Sequence, residues 1–271
     1  MSLKFAAITP HPPIIIPEVG QRADFEMAAN TTAGMKKLSS KFNDAEVETL
    51  IIISPHMHIW PDRFSICAMK KLFGTFASFG APDQMLEFKG DLDLALEIDK
   101  QAKAQEIETN LYNNEGEFFE LDHGSLVPLF YLSQNQDAAF RVLPIAYSNL
   151  TRANHFTYGQ IIGQVISKLP GRIGVIASGD LSHKLKLTGP GIKNTGPEFD
   201  ENLINDLEAN DTQKILYYDE EFVEDAGECG YRSILILLGI LDAFNAKPEI
   251  ISYEGPFGVG YAIANYRIGE I

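Results

Sequence analysis

Short runs of consecutive apolar residues alternate along this chain with longer amphipathic stretches, and this alternation limits the folds it can adopt. In the run 48–54 (ETLIIIS) the apolar residues follow one another instead of occupying every second position. Such a run indicates a strand buried on both faces, as in a parallel sheet covered by helices. The chain is therefore predicted to have an α/β fold, with a mostly parallel central sheet flanked by helices.

The same pattern locates the individual elements. Strands are predicted at 3–9, 48–54, 64–69, 141–147, 172–178, 249–253 and 260–267, and helices at 24–42, 92–104, 125–133, 155–169, 199–209 and 231–244. Segment 73–88 has no clear pattern, and Gly and Pro favour a loop at 185–197. No repeat or Pro/Ser-rich linker interrupts the pattern, so residues 1–271 are expected to form one domain.

The charge balance excludes several partners. Asp and Glu total 37 against 22 Lys and Arg, so the net charge is -15. This charge repels nucleic acid and anionic membrane surfaces, and neither is an expected partner. The first residues lack a signal peptide's apolar core, and no apolar run reaches the ~18 to 20 residues that span a bilayer, so a cytoplasmic location is expected.

Three histidines follow predicted strands closely. His11 comes after strand 3–9, His56 after strand 48–54, and His183 after strand 172–178. In open parallel sheets the ligand crevice lies at the carboxyl ends of the strands. The three imidazoles are therefore predicted to meet at one edge of the sheet.

Local context modifies this prediction. Prolines stiffen the loop around His11, although the PHPP segment could simply end a strand and leave the imidazole exposed. His58 lies two residues after His56, but the strand-end position favours His56 as a ligand. Asp180 precedes His183 by three residues and could make it a general base, or could merely cap a helix.

Two further histidines lie at predicted helix starts, His123 just before helix 125–133 and His155 as the first residue of helix 155–169. His123, beside Asp122, is by itself more typical of a structural residue, and His155 is assigned no role.

An acidic residue and a cysteine lie together before the apolar helix 231–244. Glu228 and Cys229 stand between two glycines, which allow a sharp turn or simple helix capping. With Cys67 as the second cysteine of the chain, a cysteine-based zinc cluster is excluded. Two histidines and a carboxylate are the ligands of non-haem Fe(II) oxygenases, and zinc with a bound water is the other interpretation.

Two other motifs are discounted. The glycine-rich stretch 255–260 leads into a strand and is predicted to be a turn, because a phosphate loop precedes a helix. The segment SGDLS lacks the spacing of a serine hydrolase elbow.

Taken together, the segments ITPHPPIIIPEVG, IIISPH, LDHGSLVPL, IASGDLSH and GPFGVGYA resemble the class III extradiol dioxygenases of the LigB type and the related Memo-like proteins. The resemblance covers almost the whole chain. It implies that His11 and His56 bind Fe(II), that His183 is the acid/base residue, and that His123 contacts substrate or dioxygen.

The third ligand differs between the two groups of relatives. The resemblance implies a glutamate in the dioxygenases and a cysteine followed by glycine in the Memo-like proteins, and this chain has Glu228, Cys229 and Gly230 in succession. Glu228 is favoured because a hard carboxylate suits Fe(II), whereas Cys229 would favour softer metals such as zinc or copper.

The function implied is the opening of a catechol-type aromatic diol by O2, with a homo-oligomer or a second subunit possible. The alternatives are a zinc-dependent hydrolase and a Memo-like metal-binding or redox protein without ring cleavage. Arg63, Lys184 and Arg232 are candidates to pair with a substrate carboxylate.

Overall fold

The computed structural model describes residues 2–113, 118–134, 139–189 and 194–269. The strands are β1 (Leu3–Thr9), β2 (Thr49–Ser54), β3 (Phe64–Cys67), β4 (Lys71–Phe76), β5 (Ala81–Gly90), β6 (Thr109–Tyr112), β7 (Phe119–Glu120), β8 (Arg141–Ala146), β9 (Ile173–Ser178), β10 (Asn245–Glu254) and β11 (Tyr261–Gly269). The helices are α1 (Arg22–Met27), α2 (Ala29–Asp44), α3 (Leu92–Ala104), α4 (His123–Ser133), α5 (Arg152–Lys168), α6 (Gly196–Glu208), α7 (Thr212–Leu216), α8 (Glu220–Ala226) and α9 (Tyr231–Leu241).

The strands form one mixed sheet with a parallel centre. Four neighbouring strands, in the order β1, β9, β2 and β8, are parallel to one another. Antiparallel β11 and β10 extend the sheet beyond β1, and β5, β4 and β7 extend it beyond β8. Outside this path, β3 pairs with β8 and β6. The predicted α/β fold with a mostly parallel sheet is confirmed.

The consecutive apolar residues of β2 pack into two hydrophobic cores, one on each face of the sheet. Ile51 and Ile53 pack on one face of the sheet with α3, α5, α6 and α9, whereas Leu50 and Ile52 pack on the other with α2 and α4. Side chains alternate between the faces of a strand, so a strand covered on both sides needs an apolar residue at every position.

The elements follow the predictions with local differences. The predicted helix 24–42 is divided into α1 and α2 at Ala28, and segment 73–88 forms most of the β4 and β5 pair. Helix α6 already begins at Gly196, inside the predicted loop 185–197, of which 190–193 lie outside the described residues. The short elements β6, β7, α7 and α8 were not predicted. Within the described ranges, no helix is long and apolar enough to span a membrane.

The parallel centre brings several strand ends to one edge. Thr9 at the end of β1 pairs with Ser178 of β9, and Ser54 of β2 pairs with Ala146 of β8. The segments that follow these strands therefore start side by side.

Candidate metal centre

His11 has one ring nitrogen occupied and one available. It is buried, and its Nδ1 is 3.0 Å from Ser178 Oγ. The Ser178 hydroxyl donates its own hydrogen to the carbonyl of Gly124, at 2.5 Å, so it accepts a hydrogen bond from Nδ1–H of His11. The Nε2 atom of His11 therefore carries the lone pair that a metal ligand needs.

Asp180 holds the loop that carries His11. Its Oδ1 accepts the backbone N–H of His11 at 2.9 Å, and its Oδ2 lies 4.0 Å from His11 Nε2. Burial raises the pKa of Asp180 to about 6, although the hydrogen bond from His11 and the nearby histidines favour the charged form. Asp180 does not cap a helix, since the chain from 179 to 182 is not helical.

His56 meets His11 as the strand-end argument predicts. The two Nε2 atoms are 3.0 Å apart, and the ring centroids 4.8 Å apart. Two nitrogens bound to one ion through bonds of ~2 Å lie about 3 Å apart. The backbone N–H of His56 donates to Ser54 Oγ, which donates to the carboxylate of Asp122.

Cys229 provides the third atom of this group. Its Sγ is 3.7 Å from His11 Nε2, and the ligand atoms of His11, His56 and Cys229 all lie within 4.8 Å of one another. The backbone N–H of Asp180 donates to the sulfur at 3.2 Å. Two nitrogens and a sulfur are donors that fit a transition-metal ion.

A close approach of two backbones positions Cys229. A Cβ atom at Gly179 would lie 2.0 Å from the Cα of Gly230. A side chain at Gly179 would therefore push the two backbone segments apart. In the same contact, the N–H groups of Cys229 and Gly230 donate to the carbonyl of Asp180.

Glu228 lies apart from this group. One of its carboxylate oxygens accepts the backbone N–H of Tyr231 at 2.5 Å, and its side chain lines a cavity with Arg152 and Arg232. Burial raises the pKa of Glu228 to about 7. Of the two alternatives for the third ligand, the structure thus brings Cys229 to the imidazoles, because the two adjacent side chains point to different places.

The two other predicted site histidines flank the group. The ring of His123 stacks on that of His56 at a centroid distance of 4.0 Å, and the ring of Phe79 makes an edge contact with His123 at 5.4 Å. The ligand atoms of Asp180, His183 and Cys229 also lie within 4.8 Å of one another, so Cys229 belongs to both groups. His183 and His56 are exposed, and the centre therefore opens to solvent on their side.

Burial favours neutral imidazoles at the centre. It lowers the pKa of His11 well below the usual value, and the adjacent His56 and His123 lower it further. It also lowers the pKa values of His56 and His123. Neutral imidazole is the form that binds a metal.

The remaining histidines lie elsewhere. The ring of His58 packs on Trp60 at 4.4 Å. His155 is fully buried; its Nδ1–H donates to the carbonyl of Thr151 at 2.7 Å and its Nε2 accepts the N–H of Ser148.

Tyr147, which directly follows β8, is a further residue near the centre that was not predicted. Burial raises the pKa of its phenol to about 12, and the charges of Glu228 and Cys229 contribute to the same shift. Tyr147 is thus close to both of these residues. Its position at the end of a central strand, the criterion that selected the histidines, could have identified it.

The comparisons with known proteins agree with this fold. The chain belongs to the family described as the catalytic LigB subunit of aromatic ring-opening dioxygenase, which matches residues 5–264. It is an α/β protein of the ring-opening dioxygenase superfamily.

Two curated relatives are similar in sequence. Protein CA_C1420 of Clostridium acetobutylicum is 33% identical over 269 residues, which are 97% of this chain and 57% of that protein. The 3,4-dihydroxyphenylacetate 2,3-dioxygenase of Escherichia coli is 26% identical over 164 residues, which are 56% of this chain and 55% of that enzyme. Each match spans a little over half of the relative's length.

A solved structure shares the fold. The crystal structure of the uncharacterized protein JW3007 from Escherichia coli K12 matches with a TM-score of 0.66 and 17% sequence identity. The match covers 97% of this chain and 99% of that one.

Proposed function

We propose that this protein is a non-haem Fe(II)-dependent extradiol dioxygenase that opens the ring of a catechol-type diol with O2. The observation that carries the proposal is the convergence of the Nε2 atoms of His11 and His56, 3.0 Å apart, at a centre open to solvent. Membership in the ring-opening dioxygenase family supports the reaction class, and the name of the Escherichia coli relative supports a dihydroxyphenyl compound as substrate.

His11, His56 and Cys229 are the proposed ligands. The set fits a divalent ion because the ligand atoms converge and the hydrogen bond of His11 to Ser178 leaves Nε2 free. A carboxylate is also near, since Asp180 Oδ2 is 4.0 Å from His11 Nε2. When bound, Fe(II) would supply a Lewis acid for the diol and a path for electrons to O2.

The other residues would handle protons and orientation. His183, whose ring is close to the Asp180 carboxylate, would take the proton from a diol hydroxyl, and Asp180 would stabilise the resulting imidazolium. His123 would donate a hydrogen bond to the oxygen on which negative charge develops. Both oxygen atoms of O2 enter the product, and the ring opens beside the diol rather than between its hydroxyls.

Oxygen uptake tests the proposal directly. The chain is purified anaerobically, loaded with Fe(II) and mixed with catechol, protocatechuate and 3,4-dihydroxyphenylacetate in turn. We expect O2 consumption and a yellow ring-opened product with at least one of these diols. The His58→Ala variant is the matched control, because this exposed histidine packs on Trp60 outside the centre. Iron-loaded protein that consumes no O2 with any diol would contradict the proposal.

The thiol of Cys229 favours one second candidate, a Memo-like metal-binding or redox protein without ring cleavage. A sulfur ligand shifts the preference of the centre toward copper or zinc. This candidate predicts that protein purified from cells contains copper or zinc and that Fe(II) loading produces no diol-dependent O2 uptake.

A further inference from the structure

Of the three basic side chains that were candidates to pair with a substrate carboxylate, Arg232 differs from the other two in its hydrogen bonds. The Arg63 guanidinium binds the carboxylate of Asp62 at 2.9 and 2.8 Å, and Lys184 Nζ donates to the carbonyl of Asp225 at 2.7 Å. Arg232 makes no hydrogen bond or ion pair with the described residues, and its Nε is buried. Its guanidinium lies 6.0 Å from the ring centroid of Tyr147.

Arg232 lines a cavity of about 200 Å³ that also contains Arg152 and Glu228. Arg152 donates to the carbonyls of Tyr218 and Asp219, which carry no net charge, and it has no carboxylate within 4.0 Å among the described residues. Of the other five arginines, four have a carboxylate within that distance, namely Arg22, Arg63, Arg141 and Arg172, and the exposed Arg267 has none among the described residues.

Two guanidiniums that line one cavity without a carboxylate within 4.0 Å, among the residues the structure describes, are unexpected in a chain of net charge -15. A desolvated charge is unfavourable unless an opposite charge and hydrogen bonds compensate it. Glu228 lines the same cavity and its carboxylate feels both positive charges, but it binds the N–H of Tyr231 and approaches neither guanidinium to within 4.0 Å. An anion from solution would provide the hydrogen-bond acceptors that the Arg232 guanidinium lacks.

We propose that this cavity binds the carboxylate group of a small organic acid, with the Arg232 guanidinium as the principal donor. Arg guanidinium binds carboxylates through two parallel hydrogen bonds. Glu220, Glu224 and Glu228 also line the cavity and oppose a second negative charge, which favours a carboxylate over a phosphate. The Val223 and Tyr231 side chains line the same cavity and offer apolar surface to the hydrocarbon part of the bound acid.

This site is separate from the metal centre. Cys229 directs its sulfur toward His11, whereas Glu228, the residue before it, lines the cavity. Binding at Arg232 requires neither ring cleavage nor a particular metal, so the inference is tested without reference to the proposed function.

Calorimetric titration of the full-length chain with benzoate tests the proposal. We expect benzoate to bind to wild type, and to bind at least about tenfold more tightly than its neutral analogue benzamide and than inorganic phosphate. Arg232→Met is expected to weaken benzoate binding about tenfold or more. The titration is repeated after EDTA has removed any bound metal ion. Benzoate binding that disappears after this treatment is assigned to the metal ion and not to Arg232.

Two further variants complete the test. Arg22→Met removes a positive charge from an exposed side chain on α1 and should bind benzoate as wild type does. Arg232→Lys keeps the positive charge but cannot donate two parallel hydrogen bonds, so its benzoate affinity should lie between those of wild type and Arg232→Met. If Arg232→Met fails to fold, the affinity of Arg232→Lys is the test. Equal binding of benzoate and benzamide, or wild-type benzoate affinity in an Arg232 variant, would overturn the proposal.

Discussion

At the scale of single residues, Ser178 determines which ring nitrogen of His11 carries the hydrogen. Because Ser178 gives its hydrogen to Gly124, it can only accept from His11, and the imidazole is oriented with Nε2 toward His56 and Cys229. Such an outer hydrogen bond fixes both the tautomer and the direction of a metal ligand.

The choice between Glu228 and Cys229 is tested by a pair of substitutions. We expect Cys229→Ser to lose most of the bound metal, because the sulfur is within 3.7 Å of His11 Nε2. Glu228→Gln should keep the metal, since its carboxylate binds the N–H of Tyr231. Elemental analysis of both purified variants provides the measurement, and loss of metal from Glu228→Gln alone would refute the proposed ligand set.

Substitution of a proposed metal ligand and substitution of the proposed base should have different effects on metal content. His183→Ala is expected to retain metal and lose turnover by about a hundredfold or more, the usual contribution of a general acid or base. His56→Ala should lose the metal itself, because its Nε2 lies 3.0 Å from that of His11. Metal content is measured together with diol-dependent O2 uptake, and equal metal content in the two variants would contradict these roles.

At the scale of elements, the centre depends on how β9 and α9 approach one another. The backbones touch at Gly179 and Gly230, just beyond the end of β9 and just before α9. This contact places the cysteine segment beside Asp180 and hence beside the histidine that follows β1.

A methyl group at the contact should disrupt the centre. In Gly179→Ala the added Cβ would lie 2.0 Å from Gly230 Cα, so we expect the two segments to separate and metal affinity to fall by about tenfold or more. Gly174→Ala in β9 is the control, because its Cβ would meet only the side-chain methyls of Leu50 and Val47, at 3.2 Å. Metal titrations compare the two variants; unchanged affinity in Gly179→Ala would show that the contact does not position Cys229.

At the scale of the whole molecule, covering both faces of the sheet buries groups that titrate. Burial lowers the pKa of His155 to about 4, whereas it raises the pKa of Asp200 to about 6. The two groups have opposite effects on the pH dependence of stability, because the folded protein releases the proton of His155 more easily and holds that of Asp200 more tightly.

His155 should make the protein less stable in acid. Between pH 6.5 and 4 the unfolded chain binds a proton at this residue and the folded chain does not. The stability that depends on neutral His155 is present above pH 6.5 and is lost as the pH falls toward 4, by about 3 kcal/mol. Urea unfolding at pH 7 and pH 4 compares wild type with His155→Gln, and the pH-dependent loss should be smaller in the variant by about that amount. The same loss in both proteins would exclude His155 as its source.

Much of the fold could be predicted from sequence because its signals are local. The apolar run of β1 is ended by a proline, and both β1 and α3 have the predicted bounds. The elements β6, β7, α7 and α8 are each seven residues or shorter. Segments so short contain too few apolar positions to establish a period, and contacts with the rest of the protein decide their conformation.

The meeting of His11 and His56 at one edge of the sheet follows from the local sequence, because parallel strands carry the residues that follow them to the same edge. Which of Glu228 and Cys229 lies beside these histidines depends on long-range packing. Neighbouring residues in a turn point in different directions, and those directions are set by the contact of Gly230 with Gly179, which local sequence does not encode. The same packing left Arg232 without a carboxylate partner among the described residues, although acidic residues are abundant in this chain.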